Sequence, residues 1–380
     1  MTAQELLSSI QLSGDNVNSN NKFLQKIHNN LNGTEYDELI KRIQSDNSRM
    51  PTDYQESFFY DMIEEVFNDL KDTVQNEVIM FKNKKIQYRP IPLFGTANLN
   101  ESNAFVEVED GVPVIVFSND FMEFIRSLLE LYTKEHWLVS KKLMTSKYQD
   151  IFTRHFIDIM YCFHKCPKYS NAHIIPLDWC EIENFDDFDH PDKLSKFIEN
   201  TDYFYDDTYY TFLADISNAT YLWIVAHEYS HLILGHLDDT EMNTIKKHIN
   251  NIEVSKIEFE WQQEYDADIL GAIIVMQSSS FFAASGIYFA LNCLLLSNIN
   301  KNKIDYSSSS HPPVNLRINN VFDYLRKSKC YLNKYEIIDS VIIPKYLDFK
   351  NFLEYIEIKG LEFSTVFDIQ KFIYKEYRLS

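Results

Sequence analysis

Ile224-Val225-Ala226-His227-Glu228-Tyr229-Ser230-His231-Leu232-Ile233-Leu234 is an apolar, helix-forming run that carries two histidines, one carboxylate and no other charge. At about 100° per residue, His227 and His231 fall within about 40° of each other on one helix face, so two imidazole nitrogens can reach a single metal ion. Glu228 is turned by about 100° from His227, which sets it beside the ligand pair, where it can hold a water on that ion. Zinc bound in this way lowers the pKa of the water, and the carboxylate takes the proton as the water attacks a carbonyl. A charged Glu228 inside so apolar a segment needs a reason. The plain alternative is a core helix with two satisfied histidines and a partnered glutamate.

A catalytic zinc requires a third protein ligand and an open position. One common route places a histidine six residues beyond the second, after a glycine at the third. Here those positions are Leu237 and Leu234, so that route fails. The other route uses a carboxylate from a later helix. Glu264-Tyr265-Asp266-Ala267-Asp268 supplies one, with Glu264 and Asp268 on one helix face at four-residue spacing. In that arrangement Glu264 binds the metal, and Asp268 accepts a hydrogen bond from the free ring nitrogen of a ligating histidine. Ala267 is small enough for two helices to approach closely. Glu258 and Glu260 are competing carboxylates on the same segment. His236 lies about 180° from His227 on a straight helix, too far round to share the same ion. Gly235 can end the helix, which leaves His236 as a partner of the helix dipole or as a group supporting a ligand.

Three motifs then occur in order: His227-Glu228-Tyr229-Ser230-His231, the segment Glu264 to Asp268, and His311-Pro312-Pro313-Val314-Asn315-Leu316-Arg317. This order resembles the gluzincin metallopeptidases of the HtpX and CAAX-prenyl-protease type. The resemblance covers about residues 217–325. It implies zinc held by His227, His231 and Glu264, with Glu228 as general base and then acid. It further implies that Asp268 supports a ligand and that His311 and Arg317 steady the oxyanion of the transition state. Members of that group usually carry clear transmembrane helices, so the likeness here points to a soluble branch, similar to the Lit-type phage-exclusion peptidases. That similarity implies a host-defence role and an intracellular protein substrate. Read without the resemblance, His311-Pro312-Pro313 is equally a helix start with proline in the first turn.

Bulk properties bound the reading. The 380 residues carry a formal net charge of -20, with 45% hydrophobic and 24% charged residues, as in a folded globular protein. Nucleic-acid affinity needs a basic surface, so DNA or RNA is not expected as a partner, and an anionic membrane surface is disfavoured for the same reason. Met1 to Asn16 shows no basic region leading into an apolar core, so no secretory signal is read there. Five cysteines make an odd set, as expected in a reducing compartment, and a cytoplasmic location follows. Among them, Cys162, Cys166 and Cys180 with His173 form a candidate second metal site of unusual spacing; scattered buried thiols are the commoner pattern. No charge occurs from Ile269 to Asn300, but Gln277 to Ser280 splits that run into pieces shorter than the roughly 20 apolar residues that span a bilayer. No glycine-rich phosphate loop and no serine-hydrolase elbow is present.

The expected fold is α+β and mostly helical, a zincin-like peptidase with a small sheet beside the active-site helix. Residues 1–75 form a helical N-terminal region, 76–330 the peptidase domain with an acidic insert near 178–215, and 331–380 a mixed C-terminal region. Tyr54–Leu70 has amphipathic helical spacing. Phe105 to Glu109 alternates, Asp110-Gly111 turns, and Val114–Phe117 is apolar, which predicts a hairpin. In such folds this hairpin can offer the edge strand that pairs with substrate. Pro113 places its second strand at the sheet edge. Further helices are predicted over about Asp120–Tyr132, from Ser217 or Asn218 to Leu234, over about Val254–Met276 and Phe281–Leu296, and from Pro312-Pro313 onward. Two other readings stand beside the peptidase: a sensor or binding protein that keeps the scaffold without turnover, and a membrane-associated protease using the apolar run after Ile269.

Overall fold

The computed structural model describes residues 2–13, 57–90, 93–98, 104–109, 112–165, 207–237, 256–278, 282–298, 311–327, 336–361, 363 and 366–377. In chain order these hold α1 (Ala3–Ser13), α2 (Ser57–Asn76), β1 (Met80–Phe81), β2 (Lys84–Lys85), β3 (Leu93–Ala97), β4 (Ala104–Glu109), β5 (Val112–Ser118), α3 (Asn119–Ser140) and α4 (Ser146–Lys165). Then come α5 (Asp207–Leu234), α6 (Lys256–Gln277), α7 (Ala283–Ser297), α8 (Val314–Lys327), α9 (Glu336–Lys359), α10 (Val366–Lys371) and a π-helical turn (Phe372–Glu376). The protein is α+β and mostly helical. Of the candidate second metal site, Cys166, His173 and Cys180 lie outside the described residues, as does most of the acidic stretch. Cys162 is buried on α4, with its thiol 3.4 Å from Asp158 Oδ1. No helix among the described residues is long and apolar enough to cross a membrane.

The chain divides into two compact units, residues 1–122 with 219–331 and residues 123–218 with 332–380. The first is built on a three-stranded sheet of order β3-β5-β4, in which β5 runs parallel to β3 and antiparallel to β4. Val114 to Phe117 of β5 are wholly buried, which is why this strand reads as an unbroken apolar run. Leu6 and Leu7 of α1 pack with Ala97, Val114 and Val116 on one face. Tyr60 of α2 stacks on Phe94, Phe67 packs on the same ring at a tilt and meets Phe117 edge-on, and together they cover the other. The hairpin expected at residues 105–117 is present, but its second strand is the centre of the sheet. Pro113 pairs with Val108, one residue before the β3 ladder begins at Val114, so its missing N–H costs no bond to β3. Among the described residues the sheet's two outer strands are β3 and β4.

Helices α6, α7 and α8 pack against one another beside this sheet, and α6 also meets α2. Helix α5 begins at Asp207, ten residues ahead of the predicted cap at Ser217 or Asn218. No glycine or proline interrupts Asp207–Leu234, and Tyr209, Phe212 and Ile216 keep the i, i+3, i+7 spacing that continues a helical stripe. Gly286 of α7 sits where an added Cβ would come within 2.5 Å of the Ala219 side chain and 2.8 Å of backbone, so only glycine fits that crossing with α5.

In the second unit, aromatic packing links α3, α4 and α9: Phe124 stacks on Phe163 at 4.0 Å, and Tyr161 meets Phe352 edge-on. A buried ion pair joins Lys345 to both oxygens of Glu135, at 2.6 and 2.7 Å. Arg154 donates to the carbonyl oxygens of Ile373, within the π-helical turn, and of Tyr377, just after it.

His155 lies in the same layer, 3.1 Å from the Tyr374 hydroxyl. Burial first, and then the Lys134 charge, push its pKa down to about 3. The unfolded ring takes its proton near 6.5. Between those values the unfolded chain holds a proton that the folded chain refuses, so stability falls as pH drops through that window and is level above it. The loss approaches about 4 kcal/mol near pH 3. Urea midpoints of wild type and His155→Gln at pH 7 and 4.5 check this: the wild type should lose more stability between the two, and parallel losses contradict the assignment.

Candidate metal centre

One helix, α5, presents His227, Glu228 and His231 to a cavity of about 360 Å³, and α6 presents Glu264 from across it. The two helices come close because α6 offers small residues there. Ala267 is wholly buried, and a Cβ on Gly271 would stand 3.1 Å from the His227 backbone nitrogen. Helix α8 follows Pro312-Pro313 and brings Arg317 in from a third side, with His311 just ahead of the prolines. Ala104, Phe105 and Val106 of the edge strand β4 form part of the cavity wall, with Trp223 and Leu294.

The imidazole Nε2 atoms of His227 and His231 are 3.3 Å apart. Glu264 Oε2 lies 3.6 Å from the first, and Oε1 lies 3.5 Å from the second. Four ligands arranged tetrahedrally at zinc–nitrogen and zinc–oxygen lengths stand about 3.3–3.4 Å from one another. Glu264 Oε2 is buried and has no hydrogen-bond partner, an expensive state for a carboxylate oxygen. Among the described residues this is the cluster of histidine and carboxylate atoms that can hold a cation, and its chemistry and spacing fit zinc. Glu260 lines the same cavity but stands outside the cluster.

Behind the ligands, Asp268 Oδ1 lies 3.0 Å from His227 Nδ1, and Asp268 is clamped by Arg317 at 2.8 and 2.6 Å. Burial alone would raise the Asp268 pKa, but the Arg317 charge and its two hydrogen bonds overcome that and hold it far below the usual carboxylate range. Arg317 Nη1 also reaches Glu264 Oε2 at 3.5 Å. The resemblance assigns Arg317 to the oxyanion, whereas the geometry turns its guanidinium to Asp268 and Glu264. His311 is half-exposed, with Nε2 3.5 Å from Glu264 Oε1, and lines the open cavity. Asp268 and Arg317 cancel in charge. Glu264 and Glu228 remain, two buried carboxylates that a divalent cation would neutralise.

Glu228 is almost wholly buried beside the ligand pair, with Oε1 4.0 Å from His227 Nε2. Burial is the main cause that lifts its pKa to about 7, where the charge of His227 works against it. Burial also drives His231 well below its ordinary value, helped by repulsion from His227 and His236, so its ring stays neutral and its nitrogen open to a metal. In His227 burial is the largest influence and lowers the pKa, but the hydrogen bond and charge of Asp268, together with the charge of Glu264, leave it raised.

Two supports were not singled out in the sequence. Tyr229, turned away from the ligands, donates its hydroxyl to the Arg89 carbonyl at 2.5 Å and accepts from the Arg89 N–H at 2.9 Å, which ties α5 to the preceding segment. Gly271 shows no local sign of its role, because its spacing to His227 exists only across two helices. The His236 ring stands beside that of His231, with the two Nδ1 atoms 3.0 Å apart.

Fold and site together define a mostly helical α+β protein with a two-histidine, one-carboxylate cluster and a poised glutamate beside it. A model of the peptidase U49 family matches residues 182–330, a span that contains every residue of the centre, and the match supports a peptidase function. No curated protein and no solved structure matches the chain.

Proposed function

We propose that the chain is a zinc-dependent endopeptidase acting on a cellular protein. The observation that carries this reading is the buried Glu264 oxygen that accepts no hydrogen bond, set 3.6 Å from His227 Nε2 and beside the buried Glu228. His227, His231 and Glu264 would hold the ion. A bound zinc would polarise the scissile carbonyl and acidify the attacking water. Glu228 takes the proton from that water and delivers it to the leaving amine. His311, in the cavity lining, would donate to the developing oxyanion, while Arg317 and Asp268 hold Glu264 and His227 in place.

The edge strand β4 supports a peptide substrate. Its Ala104–Val106 stretch lines the cavity, and an extended chain can add to a strand edge through backbone hydrogen bonds. The likeness of the three motifs to Lit-type peptidases supports a role in phage exclusion. The test is a search for newly exposed protein N-termini in cells that express the chain. New termini that vanish when His227 and His231 are both replaced by alanine support the proposal; identical sets with and without the two histidines count against it.

A further inference from the structure

We infer that His236 is a positioning residue that fixes the second histidine of the centre, the role Asp268 has for the first. This rests on the metal reading above. His236 Nδ1 lies 3.0 Å from His231 Nδ1, with the two rings at 70° and their centroids 5.1 Å apart. Two imidazole nitrogens at that distance share one proton, so one ring donates and the other accepts. His231 turns Nε2 toward His227 and Glu264, at 3.3 and 3.5 Å. With Nε2 as the ligand atom for a metal, the proton of a neutral His231 ring would sit on Nδ1. His231 therefore donates through Nδ1, and His236 accepts through its own Nδ1 while keeping its proton on Nε2.

The chain reaches this geometry through the way α5 ends. Gly235 takes a φ of 74°, in the left-handed region. The N–H of His236 then bonds the carbonyl of His231 at 3.0 Å, and the N–H of Gly235 bonds that of Leu232 at 3.3 Å. That closing turn reverses the chain against its own last helical turn, which lays the His236 ring on the His231 ring. A straight helix would have carried it to the opposite side. The His236 carbonyl also accepts from Gln263 Nε2 at 3.4 Å, linking the turn to the residue before Glu264. Each metal-facing histidine thus has its own partner, a carboxylate for His227 and a neutral imidazole for His231. The neutral partner orients His231 without adding a further negative charge to a centre that already buries Glu228, Glu264 and Asp268.

Zinc affinity, measured by competition with a chromophoric chelator at fixed pH, tests this with three variants. His236→Ala should bind zinc about 10- to 100-fold more weakly. His236→Asn places its amide oxygen close to where Nδ1 stands, so it should recover affinity to within about threefold of wild type. His236→Gln places its amide nearer the Nε2 position and should remain as weak as alanine. The cobalt(II) d–d spectrum gives a second readout: Asn should reproduce the wild-type bands, and Ala should shift them. Wild-type affinity in His236→Ala overturns the inference, and so does an Asn variant no better than Gln. If the alanine variant does not fold, the Asn–Gln comparison decides alone. A wild type that binds no zinc removes the metal reading underneath, an outcome distinct from zinc binding that ignores residue 236.

Discussion

Glu228→Gln will bind zinc as the wild type does and will lose cleavage by a factor of about 10²–10⁴, the usual contribution of a positioned acid–base group. Glutamine has the shape of glutamate but neither charge nor basicity. Glu228 is no part of the ligand cluster, so metal content should survive the change. The fold should survive it as well. Burial has already raised the Glu228 pKa to about 7, so the site tolerates an uncharged side chain there near neutral pH. A cation on the neighbouring ligands would draw that pKa down again, because an opposite charge favours the ionised form. In the loaded protein the carboxylate is then ionised through the neutral range, and activity should fall toward acid as it gains a proton. Zinc per chain by mass spectrometry and cleavage of a substrate identified from new N-termini check both halves. Equal cleavage by the two proteins contradicts the role given to Glu228.

Asp268→Ala should weaken zinc binding about 10- to 100-fold and destabilise the fold by about 3–5 kcal/mol. The two effects have separate causes. Zinc affinity drops because His227 Nδ1 loses the carboxylate 3.0 Å away that fixes its ring. Stability drops because Arg317, buried on α8, loses both of its short hydrogen bonds and keeps an uncompensated charge. Arg317 would then turn fully on Glu264, already 3.5 Å away, and compete with the metal for it. Adding Arg317→Met removes the unpaired charge, so the double variant should regain most of the stability and little of the zinc affinity. Denaturant midpoints and chelator competition on the single and double variants separate these terms. An Asp268→Ala protein as stable as wild type, or one that holds zinc equally well, contradicts this account of the ligand supports.

What could be read from the sequence was local. The spacing of His227, Glu228 and His231 is a property of one helix, and so is that of Glu264 and Asp268, which is why both sets were legible before any fold. The hairpin was legible because alternation in Phe105 to Glu109 and the Asp110-Gly111 turn are local as well. Strand β3 was not, since Leu93 to Ala97 is short, contains a glycine and gains its identity from a parallel pairing across the sheet. That hidden strand also reversed the reading of Pro113, whose strand becomes central once β3 lies on its other side. The start of α5 was obscured by the acidic, tyrosine-rich stretch before it, whose composition looks solvated although Tyr209 and Ile216 are buried. In the C-terminal region, α9 runs through Pro344, where local rules would end a helix. His236 was open to two readings in the sequence, and its approach to His231, 3.0 Å between the Nδ1 atoms, exists only because the chain turns at Gly235.

His227, His231 and Glu264 are proposed to hold a catalytic zinc. Anomalous diffraction at the zinc absorption edge, from crystals of the protein grown with zinc, tests it most directly. One strong peak is expected about 2.0–2.1 Å from His227 Nε2, His231 Nε2 and a Glu264 oxygen, with a side open toward the cavity. No peak at that position, or a zinc ion closed off by a fourth protein ligand, would contradict it.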